Sequence, residues 1–192
     1  MDLPAGGDRA ALDFAVSSTG ADPRRGGGLS AIFTPGTLRL APFTAEAMQP
    51  FGEMIVSPAE PGERRLYGRW LGGDRPGMTP RLHVNCLSPA TLPYGIDKLE
   101  RHPYSAQLFF PLDVSSYVVV VASTAVDGGP NITEAHAFLA PGNVGVVYAP
   151  GVWHAGATVL ERRGSFGVLM SRNDSGDDEE FVALASPLQI RH

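Results

Sequence analysis

A single cysteine in 192 residues has no partner for an intramolecular disulfide, which excludes the stapled scaffold of a small secreted domain. Cys86 lies among apolar neighbours in RLHVNCLSP and is expected to be a buried, reduced thiol in an intracellular protein. Basic residues are in the minority. Fifteen Lys and Arg against 20 Asp and Glu give a net charge of −5, and the cations are scattered rather than gathered in a stripe, which argues against a nucleic-acid partner. No apolar run approaches the roughly 18 residues of a spanning helix. The opening MDLPAGGDRA has no basic region leading into an apolar stretch. Neither membrane insertion nor secretion is expected, and the cytoplasm is the expected compartment.

What the chain does contain is 43% hydrophobic residues, enough for one core, together with 23 Gly and 17 Pro, which break up long helices and favour short strands joined by turns. Residues 1–30, rich in small residues with a Gly run, are expected to form a flexible or surface-packed extension. Residues 31–192 are expected to form the domain. Thr37 to Leu40 alternate like a strand, and TAEAMQPF opens on a capping Thr44 as a short helix stopped at Pro50. Residues 57–80, rich in Pro, Gly and Arg, predict a long loop or irregular hairpin. RLHVNCLS predicts a strand burying Leu82, Val84 and Cys86 on one face, and SYVVVVAS a strand buried on both. AHAFLAP, VGVVYAP and SFGVLMSR continue the series. Short strands at intervals of about ten residues argue for an all-β sandwich or barrel with a few short helices. The acidic run 174–180 reads as solvated surface, and EEFVAL as a short closing helix.

Of the five histidines, His192 is terminal, and His83 and His136 sit in alternating strands where a structural or surface role is expected. His102 and His154 remain. In YAPGVWHAG the turn at Pro150-Gly151 ends one strand and places Trp153 and His154 at the start of the next. An imidazole at such a mouth can bind a metal or carry a proton.

The pattern G-x7-P-G-x2-H, from Gly142 to His154, resembles the second sequence motif of cupins, double-stranded β-helix barrels. ERHPYSAQLF resembles the first, with Gln107 five residues after His102 in the place of a carboxylate. The resemblance implies that His102, Gln107 and His154 could hold a divalent metal. The longer series LERHPYSAQLFFPL, YVVVVA and HAFLAPGNVGVVYAPGVWHA, with PFGEMI at 50–55, is similar in order and spacing to the ureidoglycolate lyase family, over residues 37 to 182. That resemblance implies a cupin-like barrel, a homodimer, a small-molecule substrate, and cleavage of ureidoglycolate to glyoxylate and urea in purine and allantoin catabolism. Nickel or another first-row ion is the metal it implies.

Such a cleavage needs a base for the hydroxyl proton, an acid for the departing nitrogen and donors for the carboxylate. His102, His154, Gln107 and Glu100 are the candidates for the catalytic work, although a glutamate beside Arg101 also reads as half of a surface ion pair. Arginine's planar fork suits a carboxylate, which nominates Arg65, Arg69, Arg101 and Arg172, with Tyr148 and Trp153 as pocket walls. GERRLYGRWLGG and Ala155-Gly156 depart from the family pattern. Those departures keep open a relative acting on another small hydroxy- or amido-acid, and a non-catalytic small-molecule-binding cupin.

Overall fold

The valine-rich run 117–122 organises the molecule because a strand with apolar residues at every position can bury both faces. A computed structural model describes residues 36–71, 76–173 and 175–192; the expected extension at 1–30 lies outside the described residues. The elements are β1 (Thr37–Pro42), α1 (Ala45–Met48), β2 (Gly52–Ile55), β3 (Thr79–Leu87), β4 (Tyr94–Arg101), β5 (Gln107–Pro111), β6 (Ser116–Ala122), a 3-10 turn (Ile132–Glu134), β7 (His136–Pro141), β8 (Gly145–Tyr148), β9 (Trp153–His154), β10 (Thr158–Leu160), β11 (Gly164–Arg172) and β12 (Glu180–Arg191). The fold is the expected all-β barrel. Thr44 caps α1 by accepting from the Ala47 N–H at 3.2 Å, as its position predicts.

Seven strands form one sheet in the order β10-β6-β7-β1-β12-β4-β9, and five form a second in the order β2-β8-β5-β11-β3. β9 also pairs with β6, Val121 opposite His154 and Ala122 opposite Trp153. This two-residue strand therefore closes β6-β7-β1-β12-β4-β9 on itself. Alternate residues of β6 enter two cores. Tyr117, Val119 and Val121 pack with Phe109, Val146, Tyr148, Phe166 and Val168 of the second sheet. Val118, Val120 and Ala122 pack with Leu99, Trp153, Leu188 and Ile190.

Three local expectations are corrected. Leu82 and Val84 are 73% and 63% exposed, because β3 is the edge of the five-stranded sheet and these side chains lie on its outer face. Cys86 is on that face too, exposed rather than buried, with the Arg163 guanidinium 3.7 Å from its sulfur. The native protein should therefore react with a chromogenic thiol reagent about as fast as the unfolded chain; a thiol silent until denaturant is added would contradict the placement. The segment read as a closing helix begins β12 instead, pairing Glu180 to Ala183 with Arg101 to Lys98 and, past a bulge, Leu188 to Ile190 with Ile96 to Tyr94. A long partner strand supplies backbone bonds that override helix propensity in EEFVAL.

Candidate active site

Strand alternation builds the site. Glu100 and His102 are two residues apart at the end of β4, so their side chains leave on the same side, while Arg101 points the other way. β4 lies between β12 and β9, and Glu100 is registered opposite His154. Across the space between the sheets, β5 and β8 place Gln107 opposite Tyr148. His102, Gln107 and His154 are all buried; Glu100 keeps 20% of its side chain exposed.

The turn before β9 is tied to β4 by its backbone. Gly151, at φ +78°, donates its N–H to the His102 carbonyl at 2.7 Å. A left-handed residue at that point suits glycine, and it brings the histidines' rings to 5.8 Å between centroids.

His154 is held on every side. Its Nδ1 lies 2.9 Å from the Val152 carbonyl, which can only accept, so Nδ1 carries a hydrogen. Its Nε2 lies 2.7 Å from Gln107 Oε1 and 3.4 Å from Glu100 Oε1. The ring stacks on Tyr148 at 4.2 Å and 16°. Burial pushes the Tyr148 phenol well above its ordinary 10.0, so the shelf under His154 stays uncharged.

His102 likewise carries a hydrogen on Nδ1, which donates to the Asp178 carbonyl at 2.8 Å. Its Nε2 is buried, with no hydrogen-bond partner among the described residues. One ligand atom from each of Glu100, His102 and His154 lies within 4.8 Å of the others. A buried imidazole lone pair with no donor, a second imidazole and a carboxylate fit a first-row divalent ion. The carboxylate of this set is Glu100, while the amide oxygen of Gln107 is engaged on His154.

Burial pushes the Glu100 carboxyl up, but the hydrogen bond and charge of His154, with the charges of His102 and Lys98, leave it below its ordinary 4.5. Burial, then the charge of His154, holds His102 below its ordinary 6.5 against the opposing pull of the Asp178 carbonyl and the nearby carboxylates. Below 6.5 the unfolded chain takes a proton on His102 that the native state resists, so acid favours unfolding. Glu100 acts in the same direction. Its stabilisation is present above 4.5 and is lost as pH falls through the lower native value. The midpoint of urea unfolding is expected to decline as pH is taken from about 7 to about 4; a flat midpoint would contradict both shifts.

The remaining candidates lie elsewhere. Arg101 bonds Glu180 at 2.6 Å and lies over the Trp153 ring at 4.5 Å, so its partner is not Glu100 and the surface-pair reading of Glu100 fails. Arg172 pairs with Glu179, Arg65 is exposed, and Arg69 lies over Trp70 at 4.5 Å. Trp153 faces the second core rather than the cluster. A cleft of about 780 Å³ runs past Phe51, Glu134, His136 and Val152, and none of the four cluster side chains lines it. Asp178, in the run read as solvated surface, is buried at 4% exposure. Its charge disguised it in the sequence; Glu100, expected there as a catalytic candidate, was not expected in the metal set, for which the signal was its two-residue spacing to His102.

The family model described as ureidoglycolate lyase matches residues 35–191. A ureidoglycolate lyase of Rhizobium etli (strain CIAT 652) is 30% identical over 167 residues, covering 82% of this chain and 97% of that protein. One from Brucella anthropi is 34% identical over 155 residues, covering 76% and 89%. Among solved structures, RmlC from Streptococcus suis in complex with dTDP-D-xylose gives 12% identity and a TM-score of 0.37 over 48% of this chain and 44% of that one. A dTDP-4-dehydrorhamnose 3,5-epimerase from Elizabethkingia anophelis NUHP1 gives 13% and 0.39 over 59% and 57%. Those two likenesses are too slight to bear on the chemistry. With the family model spanning both the β4–β5 cluster residues and the turn that carries His154, the chain belongs to the ureidoglycolate lyase family.

Proposed function

We propose that the protein is a ureidoglycolate lyase, splitting its substrate into glyoxylate and urea. The observation that carries this reading is the position of His154 Nε2, between Gln107 Oε1 and Glu100 Oε1 and facing the unpartnered Nε2 of His102. The reaction consumes no water. A base takes the proton of the carbinol hydroxyl, its oxygen forms the aldehyde C=O, and the C–N bond breaks with its electron pair going to nitrogen, which an acid protonates. Glu100, held as a carboxylate and partly open to solvent, is the base. His154 is the acid. When protonated, both its N–H groups have acceptors in place, Val152 O on one side and Gln107 Oε1 with Glu100 on the other. The proton gained by Glu100 can return to His154 across 3.4 Å, restoring both groups.

Alternatively, with His154 Nε2 deprotonated, Glu100, His102 and His154 would hold a divalent ion, nickel or another first-row metal, which when bound supplies a Lewis acid for the substrate oxygens in place of the His154 proton. Incubating the protein with ureidoglycolate before and after chelation, and following glyoxylate, tests the activity and the metal separately. Release in both conditions keeps the lyase and removes the ion; no release in either sinks the lyase. The same reading places the protein in allantoin catabolism in the cytoplasm, as a homodimer. The apolar outer face of the five-stranded sheet, with Leu82, Val84, Phe110 and Leu112 exposed, supports the dimer.

A further inference from the structure

We infer that Asp178 is a positioning residue for His102, fixing which of its ring nitrogens presents a lone pair to the cluster; the inference rests on reading that cluster as the active site. Asp178 grips the turn after β4 at three points among residues 102–105. Its carbonyl accepts the His102 Nδ1–H at 2.8 Å. Its carboxylate accepts the Tyr104 N–H on Oδ1 at 2.6 Å and the Ser105 hydroxyl on Oδ2 at 2.5 Å. The carboxylate bonds thus hold in place the segment whose carbonyl the imidazole must reach. Ser105 also lies 3.2 Å from the Ser171 carbonyl, which joins the grip to the end of β11.

The loop itself is turned by hydrogen bonds of its own, with Asn173 Nδ2 and Ser175 Oγ both donating to Asp177 Oδ1. Asp178 consequently points inward from a run of acids whose composition suggests solvent.

The chemical consequence concerns the neutral ring. A carbonyl facing Nδ1 requires a hydrogen there, so the lone pair falls on Nε2, which is buried beside Glu100 and His154 with no partner among the described residues. In the other tautomer the Nδ1 lone pair would face the lone pairs of the Asp178 carbonyl, and Nε2 would offer a hydrogen where the cluster needs an acceptor or a ligand. Outer contacts of this kind orient and tune the imidazole they touch. A clamp that merely joined the turn to β12 would leave the tautomer unaffected by its loss.

The test reads the tautomer directly. In full-length protein with labelled histidine, long-range ¹⁵N–¹H correlations distinguish a protonated from a bare ring nitrogen, and the His102→Gln variant assigns the signal. The wild-type protein should show His102 protonated at Nδ1 and bare at Nε2. Asp178→Ala should move both nitrogens towards averaged values and lower kcat/KM for ureidoglycolate about 10- to 100-fold, mostly in kcat, while Asp178→Asn, which keeps an acceptor, should recover much of both. Should Asp178→Ala not fold, Ser105→Ala is expected to show the same tautomer shift at smaller amplitude. A wild-type His102 protonated at Nε2, or variants with the wild-type tautomer, would overturn the inference. A tautomer shift in a protein that releases no glyoxylate upholds the positioning role and sinks only the lyase reading.

Discussion

Replacing His154 with alanine is expected to lower kcat/KM for ureidoglycolate by about 10²- to 10⁴-fold, the range that one positioned acid–base group supplies. The ring is 1% exposed and has no freedom to reorient: Val152 O fixes one nitrogen, Gln107 the other, and Tyr148 the face. A group so constrained reaches the reacting atoms already oriented. Its removal also takes from Gln107 the imidazole its amide meets, so part of the effect could arise through stability. The thermal midpoint measured beside glyoxylate release separates the two, and His154→Gln, which keeps a polar group in the space, supplies a second variant. A folded alanine variant with full turnover would reduce His154 to packing.

Gly142→Ala is expected to abolish folding or remove more than about 4 kcal/mol of stability, a magnitude reserved for a few mechanisms. A Cβ there would lie 1.8 Å from the Val114 carbonyl oxygen, 2.5 Å from its carbon and 2.8 Å from the Ser115 oxygen. These are backbone atoms, held close because the Gly142 N–H donates to the Ser115 carbonyl at 2.9 Å, so no rotamer change relieves the clash. Gly156, by contrast, has nothing among the described residues within 4 Å of its notional Cβ. Gly156→Ala should change stability by no more than about 0.5 kcal/mol. Denaturant unfolding of the pair checks both, and similar midpoints would refute the close-approach account of Gly142.

The sequence made the barrel legible wherever burial and period agreed. The valine run became β6 because nothing else accommodates six consecutive buried residues of that kind, and Pro150-Gly151 marked the turn before His154 because few other pairs turn so tightly. Alternation in β3 was visible but ambiguous, since it shows that one face is apolar and not what covers it; Leu82, Val84 and Cys86 proved to face outward. His102 and His154 were recognisable from residue type and position, and Gln107 through the resemblance to the cupin motif. Glu100 was half legible, its neighbour Arg101 suggesting a local pair when β12 supplies that partner in Glu180. Asp178 was illegible, because its role depends on a contact 76 residues away with a ring that no local pattern connects to it.

Because β9 closes the ring of strands with only two residues, Trp153 and His154, the wall of the site is also the last stave of the barrel. Opening this strand to give an inactive but otherwise folded molecule would expose two edges at once and strip Trp153 from its core. Inactivation and collapse should therefore share a single denaturation curve, and heat or urea should yield no long-lived species that keeps its sheets while losing its catalyst.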